Sequence, residues 1–139
     1  MITVTIEQVA AMNPCGEQLK FFGKRKSMNA KQAFAAGATI SDLCWVAQKL
    51  GRKDLLVRFA LKCAQSTAYL NPDPRVQAAL DATQAYLDEP CERTADAARA
   101  AARAARAAYA ADAARAARAA DAAEIEKQKQ FFIECCEGE

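Results

Sequence analysis

The sequence predicts an all-α protein, and three observations carry that prediction. Residues 95–123 hold twenty alanines, broken only by five arginines, three aspartates and one tyrosine. Alanine is the best intrinsic helix former because it loses no side-chain entropy and crowds no neighbouring turn. Elsewhere, helix start and stop residues recur at short intervals: Thr5, Asn29, Ser41 and Asp73 before apolar runs, Gly23, Gly37 and Gly51 after them. Strand signals are almost absent, since only Ile2 to Ile6 alternates, too briefly to outweigh the rest. The expected architecture is a single-domain helical bundle of six or seven helices over residues 1–139, with the long alanine-rich helix as its longest or central element. Residues 1–53 form a basic, short-helix part, 54–134 a long-helix alanine-rich bundle, and 135–139 an acidic tail.

Taken in order, Thr5 caps a helix from Ile6 to Met12, which Asn13-Pro14 ends and restarts, Pro14 suiting a first turn. Leu19, Phe21 and Phe22 give the next helix its apolar face before Gly23 stops it. Ser27 or Asn29 caps Ala30 to Ala36, and Gly37 closes it in the left-handed conformation that glycine tolerates. Ser41 caps Asp42 to Leu50, whose stripe is Leu43, Val46, Ala47 and Leu50, with Gly51 beyond the end. Asp54 begins a longer helix, Leu55 to Leu70, with a core line through Leu55, Phe59, Lys62/Cys63, Ser66 and Leu70. Asn71-Pro72-Asp73-Pro74 supplies a turn, an aspartate cap and a first-turn proline for a helix over Val76 to Leu87. Thr94 or Asp96 opens the alanine helix, with continuation through Ile125 to Phe132.

The polar residues of that helix keep one face wet at first, with Asp96, Arg99, Arg103 and Arg106 at steps of 3, 4 and 3. From Arg106 through Tyr109, Asp112, Arg115, Arg118, Asp121 and Glu124 the step is strictly three, so the polar stripe winds around the axis. One neighbouring helix cannot bury so winding an alanine face. Either several partners pack along it, or the helix breaks near Tyr109 to Asp112. A solitary solvated helix would lean on pairs such as Asp96/Arg99, each giving only about 0.2–0.5 kcal/mol.

Charge is unevenly spread. Residues 1–53 carry eight basic and three acidic side chains, while 124–139 carry two and five. That basic excess falls short of the dense footprint of a dedicated nucleic-acid binder. No apolar stretch approaches the roughly 20 residues of a membrane span. The start, Met1-Ile2-Thr3-Val4-Thr5, lacks the charged and apolar regions of a signal peptide, so the expected location is the cytoplasm.

The residue inventory points away from catalysis. The chain has no histidine, the commonest general acid–base group. No serine or cysteine sits beside a recognisable base, no Gly-rich loop precedes a helix, and no carboxylates recur at metal-ligand spacing. The expectation is a non-enzyme without cofactor or metal. The six cysteines, Cys15, Cys44, Cys63, Cys91, Cys135 and Cys136, contain no C-x-x-C pair. Cys44 and Cys63 lie in apolar helical patterns and read as small core residues. Cys135-Cys136, flanked by Glu134 and Glu137 near a fraying terminus, reads as an incidental pair open to oxidation.

One cluster stands out: Lys20, Phe21, Phe22, Gly23, Lys24, Arg25, Lys26, with Lys31 beyond. Basic residues interleaved with aromatics can follow a phosphate backbone and stack on bases. The preferred reading turns both phenylalanines into the core, because Leu19 shares their apolar face, and leaves a solvated basic loop. Such a loop can dock on an acidic protein surface. The candidate partner-binding residues are therefore Lys24, Arg25 and Lys26, with Lys20, Lys31, Arg99, Arg103 and Arg106 behind them.

From residue 55 onward the chain carries Arg58-Phe59-Ala60 with Cys63-Ala64, then Asp73-Pro74-Arg75, then Ala78-Ala79 through Ala85-Tyr86-Leu87, then the alanine run. Over about residues 55–130 this order resembles the alanine-rich immunity protein family of toxin–immunity and phage or prophage settings. Tyr86 stands where that pattern has tryptophan. The segments Cys15 to Phe22 and Asp42-Leu43-Cys44-Trp45 are similar to those of small phage-encoded helical proteins. The resemblance implies a cytoplasmic protein that neutralises a protein partner without turnover. That partner would be a toxin or, for a phage-encoded chain, a bacterial defence effector such as a CRISPR component. A small nucleic-acid-associated protein using Lys20 to Lys31 is the alternative, and a structural helical oligomer a third reading.

Overall fold

The computed structural model describes residues 1–109 and 122–138, with side chains at 1–105 and 124–138. Those residues form eight α-helices and one small two-stranded sheet, so the chain is all-α in class. The four short N-terminal helices are those expected. The described residues count eight because 92–109 and 122–137 are two described helices, where one continuing helix was expected. Backbone contacts divide the chain into two compact units, Met1–Leu56 with Glu126–Glu139, and Val57–Ile125.

The first unit opens with β1 (Thr3–Thr5), which pairs antiparallel with β2 (Ser27–Asn29), Val4 facing Met28. β2 was not expected from the sequence. Ser27-Met28-Asn29, too short to read as a strand and without a β-branched side chain, becomes one because β1 lies alongside. Helix α1 (Ile6–Ala11) starts at Thr5 as expected: the Thr5 hydroxyl accepts from the Gln8 amide while Thr5 N–H donates to Gln8 Oε1. Asn13 takes a positive φ of 54° and ends it. Helix α2 (Gly16–Lys20) begins two residues later than Pro14 suggested, because Cys15 is extended at ψ 142°.

Helix α3 (Ala30–Ala35) is capped by Asn29 with Gln32, and Gly37 follows at φ 97°. Ser27, the other candidate cap, lies in β2. Helix α4 (Ile40–Lys49) corrects the expected start. Its cap is Thr39, whose hydroxyl accepts from the Asp42 amide while Asp42 Oδ2 accepts from Thr39 N–H at 2.9 Å. Ser41 is inside the helix, where it cannot cap. Thr39→Ala is therefore expected to cost about 1 kcal/mol and Ser41→Ala less than about 0.5, read as urea midpoints. Equal losses would return the cap to Ser41.

From Glu126 onward, helix α8 (Ala122–Glu137) completes this unit and overturns the acidic tail. Phe132, Cys135 and Cys136 are all buried, and Phe132 meets Phe34 edge-on at 6.1 Å between ring centres. The spacing i, i+3, i+4 puts these three on one helical face, leaving Glu126 and Glu137 exposed. Ile2 N–H donates to the Cys136 carbonyl at 3.1 Å, so the N-terminal strand and the C-terminal helix are tied together. Cys135-Cys136 is core, not a fraying pair.

The second unit contains most of α5 (Lys53–Thr67), a 3₁₀ turn (Ala68–Leu70), α6 (Pro74–Asp88) and α7 (Glu92–Tyr109). Leu61, Val76 and Leu80 form its buried cluster, with Ala64, Ala68 and Leu87 against them. The expected line ending at Leu70 fails there, since Leu70 is 65% exposed. Ser66 and Thr67 hydroxyls donate back to the Cys63 carbonyl, and the chain tightens into the 3₁₀ turn, which changes the rotation per residue. Asp73 caps α6 as expected and Pro74 occupies its first turn.

Helix α7 starts at Glu92, ahead of both expected openers. Thr94 is buried, and its hydroxyl reaches back to accept from Cys91 N–H while donating to the Glu89 carbonyl at 2.8 Å. Over the part with described side chains, Thr94, Ala98, Ala101 and Ala105 form one buried or half-buried stripe at helical spacing. Ala97, Ala100, Ala102 and Ala104 are exposed, so here the helix is covered along one line rather than on several sides. That matches the 3-4-3 rhythm of this half. In the strictly three-residue half, the backbone is helical through Tyr109 and again from Ala122. Beyond Tyr109, the rest of the expected break, as far as Asp112, lies outside the described residues. Ala105→Leu should lower stability by about 1–3 kcal/mol through overpacking, whereas Ala104→Leu should leave the thermal midpoint unchanged. A midpoint unmoved by Ala105→Leu would put that methyl in solvent.

Candidate partner-binding surface

The basic cluster sits on the turn between α2 and β2. Gly23 takes φ 54°, and a Cβ there would meet nothing within 4 Å, so glycine is required by backbone conformation and not by space. The turn is held by its main chain: Gly23 N–H donates to the Lys20 carbonyl and Arg25 N–H to the Phe22 carbonyl at 2.8 Å. On the far side Ile6 N–H donates to the Lys26 carbonyl at 2.9 Å, anchoring the loop to the start of α1. Lys24, Arg25 and Lys26 are all exposed on this fixed backbone.

The aromatics between them face the other way. Phe22 is 3% exposed and Phe21 half-buried, both contributing to the interior of the unit. The expectation that they serve the core holds, and the rings needed for base stacking are occupied there. Lys20 is exposed and pairs with Glu17 one turn earlier, which removes part of its charge from the surface field. Lys31 is exposed on α3.

The arginines belong to the second unit. Arg99 pairs with Asp96 at 2.6 Å in the i, i+3 relation that the sequence suggested, with both side chains about two-thirds exposed. Arg103 is exposed, and the side chain of Arg106 lies outside those described. The five lysine and arginine positions from 20 to 31 thus share one unit, and Arg99, Arg103 and Arg106 belong to the other.

Two further polar features were not anticipated. In the Asp73-Pro74-Arg75 turn, the Arg75 guanidinium grips the Asp73 carboxylate with two bonds, 3.0 and 2.7 Å. Those bonds and the Arg75 amide hold the Asp73 carboxyl at about 2, well below the usual range. The turn is thus a helix cap clamped by its own neighbour.

Inside the first unit is a partly enclosed apolar cavity of roughly 80 Å³. It persists because small side chains, Ala30, Ala33, Ala38 and Ala47, stand where larger ones would fill it. At its polar edge Gln18 Nε2 donates to Asp42 Oδ1 at 3.2 Å. Burial pushes the Asp42 carboxyl up, but bonds from the Thr39 hydroxyl, the Thr39 amide and Gln18 outweigh it and leave it below its ordinary value. The only sequence signal of this space was the alanine content of residues 30–47.

The remaining thiols differ in exposure. Cys15 is exposed, while Cys44, Cys63 and Cys91 are half-buried. Burial raises the Cys44 thiol, and hydrogen bonds from Thr94 lower that of Cys91. No described helix is long and apolar enough to cross a membrane. Comparison with protein-family models, with curated proteins and with solved structures gives no match to this chain.

Proposed function

We propose that this chain is a non-enzymatic inhibitor or immunity-type protein that binds an acidic protein partner and neutralises it by covering its active or assembly surface. One observation carries the reading. Lys24, Arg25 and Lys26 are consecutive, exposed and mounted on a turn whose backbone is hydrogen-bonded at both ends. A preset array of cations loses little freedom on docking, and it speeds encounter with a partner of opposite charge. The burial of Phe22 favours a protein partner over single-stranded nucleic acid, whose recognition leans on stacked aromatic rings. The family resemblance of residues 55–130 supports a toxin as partner. The phage-like character of the N-terminal segments supports a bacterial defence effector such as a CRISPR component.

The mechanism is steric occlusion with electrostatic steering, without turnover, in the cytoplasm. Affinity capture from the native host, with and without nuclease treatment, tests it. The expected result is a stoichiometric acidic protein whose retention survives nuclease and whose activity is blocked in the complex. Retention that disappears with nuclease, and falls steeply with salt through counterion release, would establish the nucleic-acid reading. A protein that only self-associates in sedimentation, with no captured partner, would establish the structural oligomer.

A further inference from the structure

The cavity of the first unit has a chemistry of its own, separate from the basic loop. Its wall is almost wholly apolar, contributed by side chains such as Val9, Phe22, Met28, Leu43 and Phe132. A water needs only about 10–15 Å³, whereas an engineered apolar cavity of about 150 Å³ accepts benzene. A partly enclosed space of roughly 80 Å³ therefore suits most of a single small ring. Gln18 supplies the polar feature. Asp42 accepts only, so its bond to Gln18 fixes the amide with Nε2 toward the carboxylate. Gln18 Oε1 is then buried, and no described donor lies within hydrogen-bond distance of it. A buried acceptor left without a donor is costly, and any ligand that brings one recovers the loss. Asp42 itself is already bonded by Thr39 N–H, by Thr39 Oγ1 at 2.7 Å and by Gln18, and its negative charge disfavours anions. The one cation among the described lining residues, Arg52, is paired with Asp54 at 2.9 Å.

We propose that this cavity is a binding site for a small uncharged molecule, one ring in size, carrying a single hydroxyl or N–H donor that bonds to Gln18. The body of the ligand replaces missing core volume beside Ala33, Ala38 and Ala47, and its donor meets Oε1. Because the site needs neither the basic loop nor a protein partner, it can fail while the proposed function stands, and the reverse.

Phenol, toluene and benzoate are the probes, titrated into the whole chain and followed by the methyl resonance of Met28. Toluene is the more hydrophobic of the two neutral rings, so tighter binding by phenol requires a hydrogen bond. The expected result is saturable shifts at Met28 with phenol, at least tenfold weaker binding of toluene, and no shift with benzoate. Gln18→Met keeps the length and removes the acceptor, and should bring toluene level with phenol or ahead of it. Toluene binding as tightly as phenol in the unaltered protein would overturn the assignment without any variant. So would the absence of saturable shifts at Met28, or a phenol preference that survives Gln18→Met.

Discussion

Replacing Lys24, Arg25 and Lys26 together by glutamate is expected to abolish inhibition of the partner and leave the thermal melt unchanged. The three side chains are exposed, and the loop is held by main-chain bonds that the substitution does not touch. Surface changes of this kind shift stability by no more than about 0.5 kcal/mol each. The field they reverse, however, sets the encounter rate, and steering of this type changes association by about 10- to 1,000-fold. Stopped-flow or surface-binding kinetics with the captured partner should therefore show the loss mostly in the on-rate and its salt dependence. Paired reversal of Arg99 and Arg103 should matter less, because Arg99 is already neutralised by Asp96. A triple variant that inhibits normally would move the interface off this loop.

Phe132→Ala should produce the largest loss of stability, about 3–5 kcal/mol. The ring is 2% exposed and meets Phe34 edge-on, and it comes from the last helix while Phe34 comes from α3. It also lines the cavity, so truncation enlarges a space that is already underfilled. Ending the chain after Glu137 should be harmless by comparison, since Gly138 is exposed and takes no part in the core. Urea denaturation of both variants decides the point. A Phe132→Ala midpoint close to that of the parent would detach α8 from the first unit.

Which parts of this arrangement were legible depended on how local their causes are. Thr5 with Gln8 and Asn29 with Gln32 are reciprocal caps written within four residues, and both form. The start of α4 shows the limit of reading one position. Thr39 and Ser41 both offer a hydroxyl, but only Thr39 has a carboxylate three residues on to close the box. The Asp73-Pro74 start of α6 was equally local. By contrast, β2 exists through a partner more than twenty residues away, and its sequence carries no periodicity of its own. The C-terminal segment was obscured by its charge: Glu134 and Glu137 draw attention to solvent, while Phe132, Cys135 and Cys136 mark the buried face. At the basic cluster the sequence named the cations and, through Leu19, turned the phenylalanines inward. It could not reveal that the loop backbone is tied to α1, or that a cavity bordered by Gln18 lies beneath the same segment.

The exposed Tyr69 and Leu70, 79% and 65% accessible in the 3₁₀ turn of the second unit, offer a competing surface. Tyrosine is a frequent interface anchor, so this turn is the natural rival to the basic loop. The two are far enough apart in sequence to be separated by a single footprint. Amide hydrogen exchange on the complex with its captured partner is that measurement. The basic-loop account predicts slowed exchange across residues 20–31, at the amides around Lys24 to Lys26, with residues 68–75 and 92–105 unchanged. Protection confined to residues 68–75 or to α7, with residues 20–31 exchanging as in the free protein, would contradict it.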